Sequence, residues 1–108
     1  MEKKYRDSGK GYREVAVLVS YGFGAGWVTW GMPEKALFDP IMVDFVEANK
    51  VSSDECKEYM KSTYEDCYNG GADDLYVHWV AEGKEFVIEE YDGAETLMLK
   101  EQFTWTTA

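Results

Sequence analysis

Val15-Ala16-Val17-Leu18-Val19 is an unbroken apolar run rich in β-branched residues. A half-buried strand would alternate apolar with polar positions, so this run predicts a strand covered on both faces. Downstream the period changes. Asp39-Pro40 ahead of Ile41-Met42-Val43-Asp44-Phe45-Val46-Glu47 predicts a helix that ends near Asn49. Asp39 is its N-cap and Pro40 its first residue, where a missing N–H costs nothing. Cys56, Tyr59, Met60, Thr63, Tyr64 and Cys67 recur at helical spacing and form the inner face of a second helix. It starts at Ser52 or Ser53, where Ser52 and Glu55 make a capping-box pattern, and stops at Tyr68-Asn69-Gly70-Gly71.

The last third returns to a period of two. Leu75, Val77 and Trp79 alternate with Tyr76, His78 and Val80. Glu82-Gly83 then turns the chain into Phe86–Tyr91, and Asp92-Gly93 turns it again into Glu95–Leu99. Phe103-Thr104-Trp105-Thr106 also alternates and is a candidate edge strand or a tail packed on the body. The expected fold class is α+β in the order β-α-α-β-β-β. Its antiparallel or mixed sheet has four to five strands, with two helices packed on one face.

Length and charge refine this picture. The 108 residues, 45% hydrophobic and 16% aromatic, suffice for one core and are too few for two. The net charge of −10 is uneven: residues 1–13 carry +3, leaving −13 for the remainder. Residues 1–13, charged and containing Gly9 and Gly11, read as a basic flexible arm, and 14–108 as the single domain. So acidic a body disfavours direct contact with nucleic acid or an anionic membrane. No apolar stretch approaches a bilayer span, and the start Met1-Glu2-Lys3-Lys4-Tyr5 lacks the apolar core of a signal peptide, so a cytoplasmic location is expected. On one helix Cys56 and Cys67 would lie about 16 Å apart, out of disulfide reach, and both are expected to be reduced.

Directly after the first strand, Tyr21-Gly22-Phe23-Gly24-Ala25-Gly26-Trp27-Val28-Thr29-Trp30-Gly31 packs four glycines and four aromatic rings into eleven residues. Glycine permits close approach, and Tyr, Phe and Trp supply flat apolar area with a polar handle, so the segment reads as a binding loop. It is a poor phosphate cradle, lacking the lysine of a P-loop, a full G-x-G-x-x-G and a helix opening behind it. His78 is the single histidine and brings no metal-ligand pattern; a Cys67–His78 nucleophile pair is disfavoured because Cys67 lies on the apolar stripe. The adjacent carboxylates Glu89 and Glu90 point to opposite faces of a strand. No catalytic constellation, cofactor or metal is read from the chain. The expected contact residues are Tyr21, Phe23, Trp27, Trp30, Trp79 and Tyr91, acting on a host protein or a small nucleotide-like ligand. A homodimer is compatible with such a loop. The alternative is a nucleic-acid mimic in which Glu55, Glu58, Glu65, Asp66, Asp73 and Asp74 imitate a phosphate track and fill the basic groove of a nuclease or another DNA- or RNA-binding enzyme.

Three segments resemble those of small uncharacterised bacteriophage-encoded proteins with a glycine-tryptophan loop: Tyr21 to Trp30, Leu37-Phe38-Asp39-Pro40, and Gly70-Gly71-Ala72 through Glu89-Glu90-Tyr91-Asp92-Gly93. The resemblance covers roughly residues 15–97. It implies a phage accessory protein of the kind that blunts a host defence by binding a nuclease, a sensor or a nucleotide signal, and it implies no catalytic residue. The basic arm is not part of the pattern.

Overall fold

Strand β2 (Arg13–Ser20) is covered on both faces, as its unbroken apolar run predicts, and this decides the architecture. The computed structural model describes residues 3–67 and 69–100. β2 is the middle strand of a three-stranded antiparallel sheet in the order β1-β2-β3, with β1 at Tyr5–Asp7 and β3 at Leu75–Ala81. Ala16 and Leu18 of β2, with Leu75, Val77 and Trp79 of β3, face helices α1 (Pro40–Glu47) and α2 (Asp54–Thr63). Val17 and Val19 face the other way and are covered by Leu37 and by Leu97 of a separate hairpin, β4 (Phe86–Tyr91) with β5 (Ala94–Leu99). The fold is α+β in three layers: helices, sheet, hairpin.

Two expectations are corrected here. The three C-terminal strands do not form one continuous meander. Glu82 N–H donates to Arg13 O and Lys84 N–H to Ala81 O, so the chain turns off the edge of β3 and lays the hairpin across the sheet. A strand apolar on both faces needs a cover on each, and a single flat sheet would leave Val17 and Val19 in water. Nor do residues 3–13 form a loose arm. β1 pairs with β2 in the register Tyr5↔Val15, Arg6↔Glu14, Asp7↔Arg13. The cations of the N-terminal segment meet acids of the body: Lys4 pairs with Asp44 and Glu47, Arg6 with Glu14 at 2.9 Å, and Arg13 with Glu82 at 2.6 Å.

Both helices start as their caps dictate. The Asp39 carboxylate accepts from Ile41 N–H at 2.9 Å and Met42 N–H at 3.2 Å. Ser53, not Ser52, caps α2, its Oγ accepting from Cys56 N–H at 3.2 Å. α2 ends a turn earlier than the stripe predicts. Tyr64 leaves helical geometry, and its hydroxyl donates to Asp39 Oδ2 at 2.5 Å, beside that of Tyr59 at 2.6 Å. One buried carboxylate thus caps α1 and ties α2 to it. Burial, and then the bond to Asp39, pushes the Tyr59 hydroxyl up to about 12 and raises that of Tyr64 further. Cys56 and Cys67 are free thiols. Tyr68 of the expected helix stop and the candidate strand Phe103–Thr106 lie outside the described residues.

Candidate functional site

The glycine-aromatic loop leaves the C-terminal end of β2 and is fixed from beneath by a single acid. Glu95 of β5 is buried under it. Its carboxylate accepts from Ser20 N–H at 2.9 Å, Trp27 N–H at 2.8 Å, Thr29 N–H at 3.0 Å and the Thr29 hydroxyl at 2.5 Å. Three converging backbone N–H groups form a nest suited to an anion, and the chain fills it with its own side chain. The donors are Ser20, Trp27 and Thr29, which flank the Gly22–Gly26 run, so the glycines themselves form no phosphate cradle.

The loop is also clamped from the side. Gly24 N–H donates to Asp92 O at 2.5 Å, and the Ser20 hydroxyl donates to Ala25 O at 3.0 Å. A Cβ at Gly71 would fall into the Gly26 carbonyl, and one at Gly93, whose φ of +89° also favours glycine, would fall into Ala25 N. These two glycines let the chain pack against itself. The close approach that the sequence reads into the loop glycines is thus made, at Gly26 and its neighbour Ala25, by the chain's own backbone.

The six expected contact residues divide. Tyr21, Phe23 and Tyr91 are 61%, 72% and 77% exposed, and Trp30 is 36% exposed. Phe23 and Tyr91 meet edge to face, ring centres 6.4 Å apart and planes at 86°. Tyr21 meets Tyr76 in the same manner at 5.5 Å. Trp30 Nε1–H donates to Glu90 Oε2 at 2.8 Å, and Gly93 N–H donates to the same oxygen at 2.9 Å. Those two bonds hold the Glu90 carboxyl below the usual carboxylate range. The chain therefore presents Tyr21, Phe23, Trp30 and Tyr91 on a loop and a turn that brace each other.

Trp27 and Trp79 do not belong to that surface. Trp27 is fully buried, its indole N–H donating to Ala36 O at 3.1 Å and its ring edge-on to Tyr64 at 6.4 Å. It leads the chain from the loop back into the helix-side core, and its amide is one of the donors to Glu95. Trp79 is half-buried on the helix side of β3, with the Arg6 guanidinium 4.3 Å from its ring centre. Sequence reasoning missed Glu95, which looks like one more acid among 21. The signal available is its place in a strand beside Leu97 and Leu99, positions that the alternation puts on a core-facing side.

Of the acids in the alternative reading, Glu55, Glu58, Glu65, Asp66 and Asp73 are exposed. Asp74 is half-buried, its side chain closing on Gly22 and its carbonyl accepting from Tyr21 N–H at 3.2 Å, so it belongs to the base of the loop. Asp54 and Glu55 occupy the first turn of α2, where negative charge favours the helix. His78 lies beside Tyr76, and burial lowers its pKa. Among the described residues no group of His, Cys, Asp and Glu side chains is arranged to hold a metal ion, and no helix is long and apolar enough to cross a membrane. Comparisons with protein-family models, with curated proteins and with solved structures return no match to this chain.

Proposed function

We propose that this is a non-enzymatic binding protein whose contact surface is the braced aromatic loop and turn: Tyr21, Phe23, Trp30 and Tyr91. The observation that carries this reading is the pairing of high exposure with rigid support. Large aromatic side chains are left in water on a segment held by Glu95, by the Asp92 carbonyl and by the Glu90–Trp30 bond. Exposed rings on a mobile loop would be costly to order on binding, whereas rings already fixed lose little entropy and make good anchors. The resemblance to phage accessory proteins makes a host macromolecule the natural partner. A small anionic ligand is the weaker choice, since Glu95 already fills the nest that would cradle it.

The test is capture from bacterial lysate by the tagged protein, set beside a Phe23→Ser/Tyr91→Ser variant with an unchanged melting temperature. Loss of a captured partner in the variant supports the surface; full retention by the variant refutes it. The acidic-mimic reading is favoured by one observation: Glu55, Glu58, Glu65 and Asp66 stand exposed on α2 and the turn after it, while the pairs made by Lys4, Arg6 and Arg13 go to acids elsewhere. It requires capture that survives Phe23→Ser/Tyr91→Ser and fails in a variant with Glu55, Glu58, Glu65 and Asp66 changed to Lys.

A further inference from the structure

We propose that the Phe23–Tyr91 pair, together with Glu89 and Asp92, is a docking surface for an arginine-bearing segment of a partner protein. This rests on the aromatic-surface reading above and adds the chemistry of what is bound.

The fold itself shows the arrangement with the arginine in place. The Arg6 guanidinium lies 4.3 Å from the Trp79 ring centre while its Nε–H donates to Glu14 at 2.9 Å. The Arg13 guanidinium lies 4.1 Å from the Tyr5 ring centre while its NH2 group donates to Glu82 at 2.6 Å. In both, one guanidinium satisfies an aromatic face and a carboxylate together, which its planar cation does better than an ammonium.

Phe23 and Tyr91 supply the aromatic half of that arrangement without a cation. Their edge-to-face contact leaves ring surface open to water. Glu89 stands two residues before Tyr91 on the same face of β4, roughly 7 Å along the strand, and is exposed. Asp92, in the turn whose carbonyl accepts from Gly24, is exposed beside it. Residues 14–33 and 85–99, which build this end of the molecule, contain no lysine or arginine. Among the described residues no cation lies over either ring. A second copy of the chain is a poor donor, because Lys4, Arg6 and Arg13 of its N-terminal hairpin are already paired internally.

The test titrates the full chain, followed by amide resonances, with three synthetic peptides of alternating glycine and arginine, glycine and lysine, or glycine and glutamate. The expected result is that the arginine peptide shifts Phe23, Glu89 and Tyr91, binds more tightly than the lysine peptide, and loses about tenfold in affinity between low salt and about 0.5 M NaCl. Glu89→Gln/Asp92→Asn should weaken it at least severalfold; asparagine tolerates the positive φ at position 92, so this variant keeps the turn. Phe23→Ser/Tyr91→Ser should weaken it similarly. Shifts centred on Glu55 and Glu58, equal response to the glutamate peptide, or undiminished binding by Glu89→Gln/Asp92→Asn would each overturn the proposal. If none of the peptides binds while Phe23→Ser/Tyr91→Ser still loses a lysate partner, the arginine chemistry is wrong and the aromatic surface stands. If that variant retains every captured partner, both fall.

Discussion

Glu95 accepts the backbone N–H of Trp27 at 2.8 Å across 68 residues of sequence, joining the second strand of the hairpin to the loop that follows β2. With the bonds from Ser20 and Thr29, this contact makes the order of the loop a property of the hairpin.

Replacing Glu95 by Gln should therefore loosen the loop without removing bulk. An amide presents an NH2 group toward N–H donors and leaves some of them buried without an acceptor, at a cost of about 2–4 kcal/mol. Chemical denaturation reads that loss. Amide exchange should rise first at Trp27 and Thr29, and exchange unchanged there would show that the nest does not hold the loop.

The buried and exposed aromatic residues of the loop and the adjoining end of β4 should separate cleanly by stability. Trp27→Ala removes a fully buried ring and should cost about 3–5 kcal/mol. Phe23→Ser and Tyr91→Ser alter exposed rings and should stay within about 0.5 kcal/mol of the parent. Thermal and urea unfolding of the three variants check this ordering.

Stability should fall at alkaline pH. The Tyr59 and Tyr64 hydroxyls titrate higher in the folded protein than in the unfolded chain, raised by burial and by the shared Asp39. Their contribution is complete below the ordinary tyrosine value of 10.0 and declines as pH rises from there to the folded values, that of Tyr59 being about 12. Each such group adds a slope of about 1.4 kcal/mol per pH unit while it is ionised only in the unfolded chain. Tyr64→Phe should flatten the dependence between pH 10.0 and about 12, measured by denaturation at a series of pH values.

At acid pH the Trp30–Glu90 bond should break before the fold does. The Glu90 carboxyl is lowered from 4.5 by the Trp30 indole N–H and then by Gly93 N–H. The bond is therefore fully present above 4.5 and lost as pH falls through the lower folded value. The indole resonance of Trp30 should report that titration, and Glu90→Gln should abolish it.

Sequence alone determined the elements whose signals are local. The Asp39-Pro40 start is a side-chain cap on the adjacent N–H groups and a fixed φ, both decided within four residues. The Asp92-Gly93 turn is equally local, with Asp92 at φ 50° and Gly93 at φ 89°. The doubly covered β2 follows from composition, because no alternation is present to expose either face. The α+β class follows from these elements together. What only the tertiary structure decided are relations between distant residues: that α2 ends at Thr63 because the Tyr64 hydroxyl reaches Asp39, that the hairpin crosses to the second face of β2, that the basic N-terminal segment becomes a strand by pairing with Val15, Glu14 and Arg13, and that Glu95 occupies the nest of the glycine loop. The two adjacent tryptophan environments are the sharpest instance. Trp27 and Trp30 lie three residues apart with similar neighbours in sequence, yet one reaches inward to Ala36 and Tyr64 and the other outward to Glu90. The turn at Val28–Trp30 separates the two rings, the Ala36 carbonyl taking the indole N–H of one and the Glu90 carboxylate that of the other, and neither partner is encoded in the pattern of polar and apolar positions.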